Sequence, residues 1–496
     1  MVAKKKPDYK TALLRAIKNN YFFFGLLFVM IFAFFKNALT MNFILDDFFF
    51  LRISHAKSFH DFINLFSPFR DYSYKPLATE VYYFFIRILK FNLLVGHLIA
   101  FITFFIGLYY LYKCLKTISK NDFFSKLATA LYALHFTHVF QLYYFGTFQE
   151  VAIFTFLAIS FYLFLNNKYF RSLLFYVFAL LSKETAILFL PFLVFFAILK
   201  QRNILKKTAL SLIPYTLISG IFYLLYKISL SHVTALENYQ LRLSPRLIIN
   251  NFLWYFLWSV GLPNFMPLYV TSVLKPPIAE FWNLFRIPDI TPYFIFLISY
   301  WFVFLLAIVA LVVRKKQKLK DIFFYFIITA TGFSIFILPL LLFMHKWMVR
   351  LTLPLVFITT FEAFIIYQFF SKGKMFKILG IVLIILYMAF NYYGVRVHEP
   401  SSTFFLETRF IDSADQYFAK HKNGIVKHRY LVFIDNPNGP TAWGGSKKLK
   451  VSFHDQDFLD YYFPEVHLTA LYGFENKQIP RDSFVVASVD ILTGGK

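Results

Sequence analysis

The chain has a single cysteine, Cys114, among 496 residues, and only 16% of its residues are charged. One cysteine excludes an intrachain disulfide, so every part of this chain must fold without that cross-link. The charged fraction is far below the roughly 25% of soluble domains, which excludes an ordinary soluble globular protein. Acidic residues are especially scarce, with 26 Asp and Glu against 51 Lys and Arg.

Long apolar runs take the place of the missing charges. Hydrophobic residues make up 59% of the chain, and the runs 21–35, 293–313 and 378–393 contain no charged residue. Each run approaches the roughly 20 residues that an α-helix needs to cross a bilayer. Because a helix satisfies its own backbone groups in lipid, the sequence predicts an all-α polytopic membrane protein.

The excess of basic residues lies in short segments between the apolar runs. Examples are residues 4–6, 113–126, 200–207, 314–320 and 372–377. Short basic loops stay on the cytoplasmic side of a membrane, so the pattern indicates topology rather than nucleic-acid binding. We therefore predict a cytoplasmic N-terminus, no nucleic-acid partner, and contact between these loops and anionic membrane lipids.

The charge pattern predicts about eleven transmembrane helices within residues 1–394. Residues 42–90 are predicted to form a first outer loop with an interfacial helix. Residues 231–290 are predicted to form a second outer loop with a re-entrant or interfacial helix. Two of the crossings, 125–142 and 149–166, form a hairpin whose tip lies outside.

The composition changes from residue 395, where polar and turn-forming stretches replace the apolar runs. Short apolar runs at 430–434 and 484–489 are typical of strands. Residues 395–496 are therefore predicted to form a small α/β domain outside the cytoplasm.

Charged side chains near membrane depth are costly, so those retained there are candidate functional residues. Asp46 and Asp47 open the first outer loop, where paired carboxylates can act as a general base or bind a metal. A solvated acidic helix end is the alternative. Lys75 in the same loop can contact a phosphate, and Glu80 follows it in the interfacial helix.

Further candidates lie at the predicted outer ends of the helix hairpins. His135 and His138, three residues apart, would share a helix face, where such a pair can bind a metal or pack as polar residues inside the bundle. Glu150 precedes a long apolar helix and has no nearby charge in the sequence to pair with. Lys183 and Glu184 either line a site or neutralise each other.

Lys346 and Arg350 follow a later apolar run. Arginine stays charged in any environment and suits two-point binding of a phosphate, whereas a snorkelling pair at a helix end is the alternative. All these candidates fall on one predicted side of the membrane. The mixture of carboxylates and basic groups suits a reaction with a phosphate leaving group.

Five motifs, in this order, resemble those of the GT-C superfamily of membrane glycosyltransferases, which includes protein O-mannosyltransferases and lipid A aminoarabinose transferases. They are similar to an acidic pair, a YRPL stretch, an ALHPxHxE region, an LLxKE motif and an R…LP segment. Here they are Ile44–Asp47, Tyr74–Leu77, Ala133–His138 with Glu150, Leu180–Glu184, and Arg350 with Leu353-Pro354. The resemblance covers residues 20–370, with Phe136 in place of the usual proline and Lys75 where arginine is common.

The resemblance implies an inverting transfer of a sugar from a polyprenyl-phosphate-linked donor to an acceptor outside the cytoplasm, which is a protein, a lipid or a glycan. It implies that Asp46 or Asp47 is the general base for the acceptor hydroxyl. Arg350, Lys346 and Lys183 would neutralise the departing lipid phosphate.

By the same resemblance, Glu80 and Glu150 orient the sugar or the acceptor, or help to hold a divalent metal. No cofactor is certain, and a metal-independent reaction is favoured because some relatives with monophosphate-linked donors do not need one. Other functions stay open, namely a secondary transporter, a non-catalytic scaffold of envelope polysaccharide assembly, and another lipid-linked polymerase or ligase. The sequence has no matching halves of the kind that transporters often contain.

Overall fold

A computed structural model describes most of the chain. The described residues are 19–69, 72–200, 205–231, 240–272, 275–314, 316–370, 374–435, 445–475 and 477–492. The basic segment 4–6, Asp71 beside the predicted interfacial helix, and the turn-forming stretch 436–440 lie outside these residues.

Helices account for most of the described chain. In the first half they are α1 (Asn20–Phe35), α2 (Asp46–Ile53), α3 (Phe59–Asn64), α4 (Tyr82–Ile88), α5 (Leu93–Ser119), α6 (Asp122–Ala133), α7 (Val139–Leu142), α8 (Phe148–Leu165), α9 (Tyr169–Ser182), α10 (Phe189–Lys200) and α11 (Leu205–Leu230). In the second half they are α12 (Pro245–Ser259), α13 (Ile290–Arg314), α14 (Lys316–Ile337), α15 (Pro354–Phe370), α16 (Lys374–Ser401), α17 (Thr403–Ile425), α18 (Gly445–Ser452), α19 (Asp457–Tyr462) and α20 (Ser488–Leu492).

Short tight helical segments join or extend these helices. The 3₁₀ segments are Lys36–Thr40, Phe136–His138, Phe145–Thr147, Glu184–Leu188, Met266–Leu268, Ala279–Arg286, Leu338–Leu342, Met348–Leu351 and Gly473–Glu475. A π-helical turn, Leu77–Val81, leads directly into α4. A helix thus follows Pro76, as predicted, and it opens with a π turn of the kind that is frequent at functional sites.

Seven helical segments of the described chain are long and apolar enough to cross a membrane. They are Asn20–Thr40, Leu93–Ser119, Phe145–Leu165, Leu210–Leu230, Ile290–Val313, Leu319–Leu342 and Phe376–Ser401. This confirms the helical, multi-pass membrane architecture.

The finer count of about eleven crossings, drawn from the charge pattern, is not confirmed. Three of the predicted crossings are shorter apolar helices, Tyr169–Ser182, Glu184–Leu199 and Pro354–Phe370. A fourth, predicted over 125–142, breaks when α6 ends at Ala133. Segments of this length are too short to span a bilayer unless the bilayer thins locally or flanking residues snorkel.

Some helices of the bundle pack against their neighbours in sequence, and others pack against helices far away in sequence. Helix α5 packs against α8, and α8 packs against α9. Helix α13 packs against α16, whereas α15 contacts both α14 and α6. Helix α12, within the predicted second outer loop, packs against the segments Leu338–Leu342 and Met348–Leu351. We call the end of the bundle that carries residues 42–90 and the connections 134–147, 183–188 and 343–353 the first-loop end. Most of the buried charged side chains discussed in the next section lie there.

A three-stranded parallel sheet follows the bundle, as predicted for the tail. Its strands β1 (Tyr430–Ile434), β2 (Thr469–Tyr472) and β3 (Ser483–Ala487) have the order β2-β1-β3. Tyr430 pairs with Thr469 on one side and with Ser483 on the other. The sequence predicts β1 and most of β3, but it does not predict β2, whose four residues carry little pattern.

The sheet domain sits on the first loop. Helix α19 packs against α2, and the ring of Phe48 lies 4.9 Å from that of Phe458 in an edge-to-face contact. The guanidinium of Arg52 forms an ion pair of 2.8 Å with Asp457. The helix that begins with the acidic pair therefore lies between the membrane bundle and the sheet domain.

Candidate functional site

The two adjacent aspartates at the start of α2 have opposite surroundings. Leu45, just before them, has a φ of 52°, a left-handed conformation that turns the chain sharply into the helix. Asp47 is fully buried, and its carboxylate accepts a hydrogen bond of 2.8 Å from the backbone N–H of Ile44. The side chain of Asp46 is 64% exposed. Only Asp46 can meet a substrate from solvent without a rearrangement.

Asp47 joins three segments of the first-loop end. The hydroxyl of Tyr83 on α4 donates a short hydrogen bond to its carboxylate, and the backbone of Gly146 contributes another. Burial raises the pKa of the Asp47 carboxyl well above its usual value, although these hydrogen bonds oppose the shift. The carboxyl of Asp47 thus anchors the loop rather than serving as an accessible base.

Tyr83→Phe tests this anchoring role. The change removes one hydrogen bond to a buried carboxyl, so we expect a loss of about 1–3 kcal/mol in the free energy of unfolding. Thermal unfolding of the purified protein in detergent measures the loss. Tyr223→Phe, at an exposed tyrosine, is the matched control and should leave the melting temperature unchanged. Equal stability of wild type and Tyr83→Phe would contradict the anchoring role.

A buried ion pair lies at the start of α8. Lys183 and Glu150 are both buried, and their side chains form a direct short contact. Glu150 occupies the first turn of α8, where the helix dipole favours a carboxylate. Lys183 follows the end of α9 in extended conformation, which directs the chain away from the helix. The solitary glutamate of the sequence therefore has a partner 33 positions away.

Three cations lie within electrostatic range of a second carboxylate, that of Glu184. The carboxylate of Glu184 interacts electrostatically with Lys75, Lys183 and Arg350. One of its oxygens is buried and has no hydrogen-bond partner among the described residues. We call Lys75, Lys183 and Arg350, together with Glu150 and Glu184, the charged cluster. Its three cations outnumber its two carboxylates, so the charged cluster can accept one more negative charge.

The basic segment after α14 contributes to the same end of the bundle. Arg350 lies in the 3₁₀ segment Met348–Leu351 and hydrogen-bonds the hydroxyl of Tyr255. Lys346 is half-buried and its pKa is lowered by that burial. Burial, together with the positive charges of Arg350 and Lys346, lowers the pKa of His345. Lys346 forms no ion pair with a carboxylate in the described chain, so of the two predicted phosphate ligands here only Arg350 joins the charged cluster.

A run of contacts links the charged cluster to the acidic pair. Lys75 donates a hydrogen bond of 3.0 Å to the side-chain oxygen of Gln149. The amide of Gln149 in turn donates to the backbone oxygen of Gly146 at 3.1 Å. Gly146 contacts Asp47, as described above. The turn Phe145–Thr147 therefore couples the position of the first loop to that of the charged cluster.

Glu80 lies in the π turn and is buried. The hydroxyl of Tyr72 donates a hydrogen bond of 2.5 Å to its carboxylate. The ring of Tyr72 meets that of Phe49 edge to face, with centroids 5.5 Å apart. Glu80 is thus connected through Tyr72 to α2, three residues beyond Asp46.

The two histidines do not share a helix face, which corrects the premise of the predicted pair. Helix α6 ends at Ala133, and His135 caps the 3₁₀ segment that ends at His138. Nδ1 of His135 lies 3.0 Å from the hydroxyl of Thr137, and Nε2 of His138 lies 2.7 Å from the backbone oxygen of Tyr132. Both rings are buried, and they pack as polar residues inside the bundle: His135 also hydrogen-bonds the backbone of Ser259 on α12, and His138 the side chain of Gln141. No group of three or more His, Cys, Asp or Glu side chains placed to hold a metal is found in the described part of the chain.

Two features of the structure are not among the residues predicted from the sequence. One is a group in the sheet domain, His454 with Asp457, which faces Asp46. The other is Glu362, a buried carboxyl within the apolar helix α15. Glu362 could have been identified from the sequence, because a single acidic residue inside a long apolar run is a candidate functional residue. The proximity of His454 to Asp46 depends on domain packing, which the sequence does not reveal.

The fold and the site define a class of protein. It is a multi-pass helical membrane protein with a net-positive, partly buried charged cluster, an exposed acid at the start of α2, and a small parallel-sheet domain packed on α2. No protein-family model and no curated protein matches the sequence.

Proposed function

We propose that the chain is a membrane glycosyltransferase that moves a sugar from a polyprenyl-phosphate-linked donor to an acceptor outside the cytoplasm. The observation that carries the proposal is the convergence of Lys75, Lys183 and Arg350 on Glu184. Preorganised cations in a site of low water content stabilise a developing phosphate charge far better than they would in water. A lipid-linked donor would reach the cluster from the bilayer with its phosphate at the end of the bundle.

The reaction divides between the charged cluster and the acidic pair. Asp46 accepts the proton of the acceptor hydroxyl while the hydroxyl oxygen attacks the anomeric carbon. The bond between that carbon and the phosphate oxygen breaks, and its electron pair leaves on the lipid phosphate. The cations of the charged cluster neutralise the phosphate. Attack from the face opposite to the leaving group inverts the anomeric configuration.

Asp47 and Glu80 support this arrangement from positions that a substrate does not reach directly. Asp47 fixes the start of α2, and Glu80 holds Tyr72 against Phe49. In this proposal the first-loop end and the sheet domain lie outside the cytoplasm, and the N-terminus lies inside. Lysine and arginine neutralise the phosphate, so the proposed reaction requires no metal ion.

Arg350→Gln tests the phosphate site by binding alone. The guanidinium can form two charge-assisted hydrogen bonds to a phosphate, so we expect about 10- to 100-fold weaker binding of C55 polyprenyl phosphate. Native mass spectrometry of the protein in detergent, titrated with that lipid, measures the dissociation constant. Arg286→Gln, at an exposed arginine, is the matched control. Equal affinity in wild type and Arg350→Gln would contradict the assignment of the charged cluster.

Glu362 favours a second candidate function, an ion-coupled transporter. Its carboxyl is buried nine positions into α15 and interacts electrostatically with Tyr300 of α13. The candidate charges named from the sequence lie in loops or near helix ends, whereas Glu362 lies within a helix, as charges in transporters often do. Glu362→Gln separates the two functions, since a transporter would lose coupled uptake, whereas the glycosyltransferase should keep its turnover.

A further inference from the structure

The sheet domain presents a histidine to the exposed acid of α2. Nδ1 of His454 donates a hydrogen bond of 2.8 Å to the carboxylate of Asp457. Asp457 is only 4% exposed and is held from the other side by Arg52 at 2.8 Å. Because one ring nitrogen is fixed in this way, the other nitrogen, Nε2, is directed outward.

Nε2 of His454 lies 3.9 Å from a carboxylate oxygen of Asp46. The imidazole packs beside the ring of Phe49, with centroids 5.2 Å apart. His454 and the following Asp455 both have positive φ angles, 48° and 58°. These left-handed residues end helix α18, where the backbone N–H of Asp455 donates to the carbonyl of Lys450 at 2.8 Å, and they turn the chain so that the ring of His454 meets α2. An oxygen atom placed beside the gap can lie within hydrogen-bond distance of both Asp46 and His454.

We propose that His454 completes the base of the transfer reaction by taking from Asp46 the proton of the acceptor hydroxyl. This inference rests on the proposed glycosyltransferase function. The hydroxyl loses its proton to Asp46 as the new glycosidic bond forms, and a water molecule in the 3.9 Å gap relays the proton from Asp46 to Nε2 of His454. The product is an imidazolium whose Nδ1–H stays hydrogen-bonded to Asp457. Asp46 returns to its ionised form, and the proton leaves His454 for water.

The surroundings of His454 suit a proton acceptor that works near neutral pH. Burial alone lowers the pKa of His454, but the hydrogen bond to Asp457 and the negative charges of Asp46 and Asp457 raise it more. Arg52 opposes them, and the net pKa lies above the usual value. A base is most effective when its pKa is close to the working pH. His454 is therefore a better final acceptor of the proton than a carboxylate alone.

The pH dependence of transfer tests the inference. Only unprotonated His454 can accept the proton, so kcat in wild type should rise with pH until the pKa of His454 is passed. His454→Gln should remove this rise and lower the plateau by about 100-fold. Asp457→Asn removes a group that raises the pKa of His454, so the rise should move to lower pH. The KM for the donor should not change, because His454 does not contact the phosphate site.

Two measurements separate this inference from simpler explanations. His467→Gln, at an exposed histidine of the same domain, should keep the wild-type profile. Binding of C55 polyprenyl phosphate by His454→Gln, at wild-type affinity, shows that the variant is folded. Turnover by His454→Gln with an unchanged pH profile would overturn the inference while leaving the glycosyltransferase intact. Absence of turnover in wild type with every donor would instead overturn the proposed function and the inference together.

Discussion

Asp46→Asn is expected to lower sugar transfer by about 1,000-fold, because general-base catalysis by a positioned side chain contributes about 10²- to 10⁴-fold. Binding of C55 polyprenyl phosphate should stay at the wild-type level, since the charged cluster is untouched. The melting temperature should also stay the same, because the side chain of Asp46 is mostly exposed. Turnover of a sugar-labelled polyprenyl-phosphate donor, measured beside lipid binding, separates loss of chemistry from loss of binding.

Two further variants make the result specific to Asp46. Asp460→Asn changes an exposed acid on α19, at the same interface, and should keep full turnover. Asp47→Asn replaces a buried carboxyl that three groups contact, and its main effect should be a lower melting temperature. Full turnover by Asp46→Asn would remove it from the base position and leave the buried Asp47 as the remaining acid of the pair.

Lys183→Met is expected to be the most destabilising single change at the charged cluster. It leaves Glu150 buried without its partner, and breaking a buried pair in this way costs about 3–5 kcal/mol. Glu150→Gln removes the carboxylate that contacts Lys183 directly and should also be destabilising, but less so, because Lys183 still interacts with Glu184. Thermal unfolding in detergent compares both variants with Lys168→Met, a control at an exposed lysine.

The double variant Lys183→Met/Glu150→Gln distinguishes a structural pair from a functional one. A neutral pair of similar size often restores the stability that a half-pair loses. We therefore expect a melting temperature close to that of wild type, together with strongly reduced binding of C55 polyprenyl phosphate. Recovery of both stability and lipid binding would show that the ion pair only holds α8 and α9 together.

The membrane helices were predictable because their signal is local. Apolar runs such as 21–35 and 293–313 fall within α1 and α13, since a helix in lipid needs only a long apolar stretch. The length of the shorter helices was not predictable from charge alone. Helix α6 shows the reason. The charge of Lys126 suggested a solvated linker, but Lys126 lies inside this helix, where it is buried and forms an ion pair of 2.8 Å with Asp122.

The candidate site was predictable in its members but not in its arrangement. The charges of Lys75, Lys183 and Arg350 were identified singly, yet their convergence depends on contacts between residues more than a hundred positions apart. Asp46 and Asp47 could not be told apart from the sequence, because the turn at Leu45 decides which of them is buried. His454 could not be predicted as a site residue, because it lies near Asp46 only through the packing of α19 on α2.

The most direct measurement follows the label of a polyprenyl-phosphate sugar in membranes of the source organism that lack this chain. Purified protein would be added back, and hexose and pentose donors on C55 polyprenyl phosphate would be compared. The account predicts that the labelled sugar moves to a membrane acceptor with inverted configuration and that free polyprenyl phosphate is released, with wild type but not with Asp46→Asn. Donors that all stay intact in the presence of wild-type protein would contradict it.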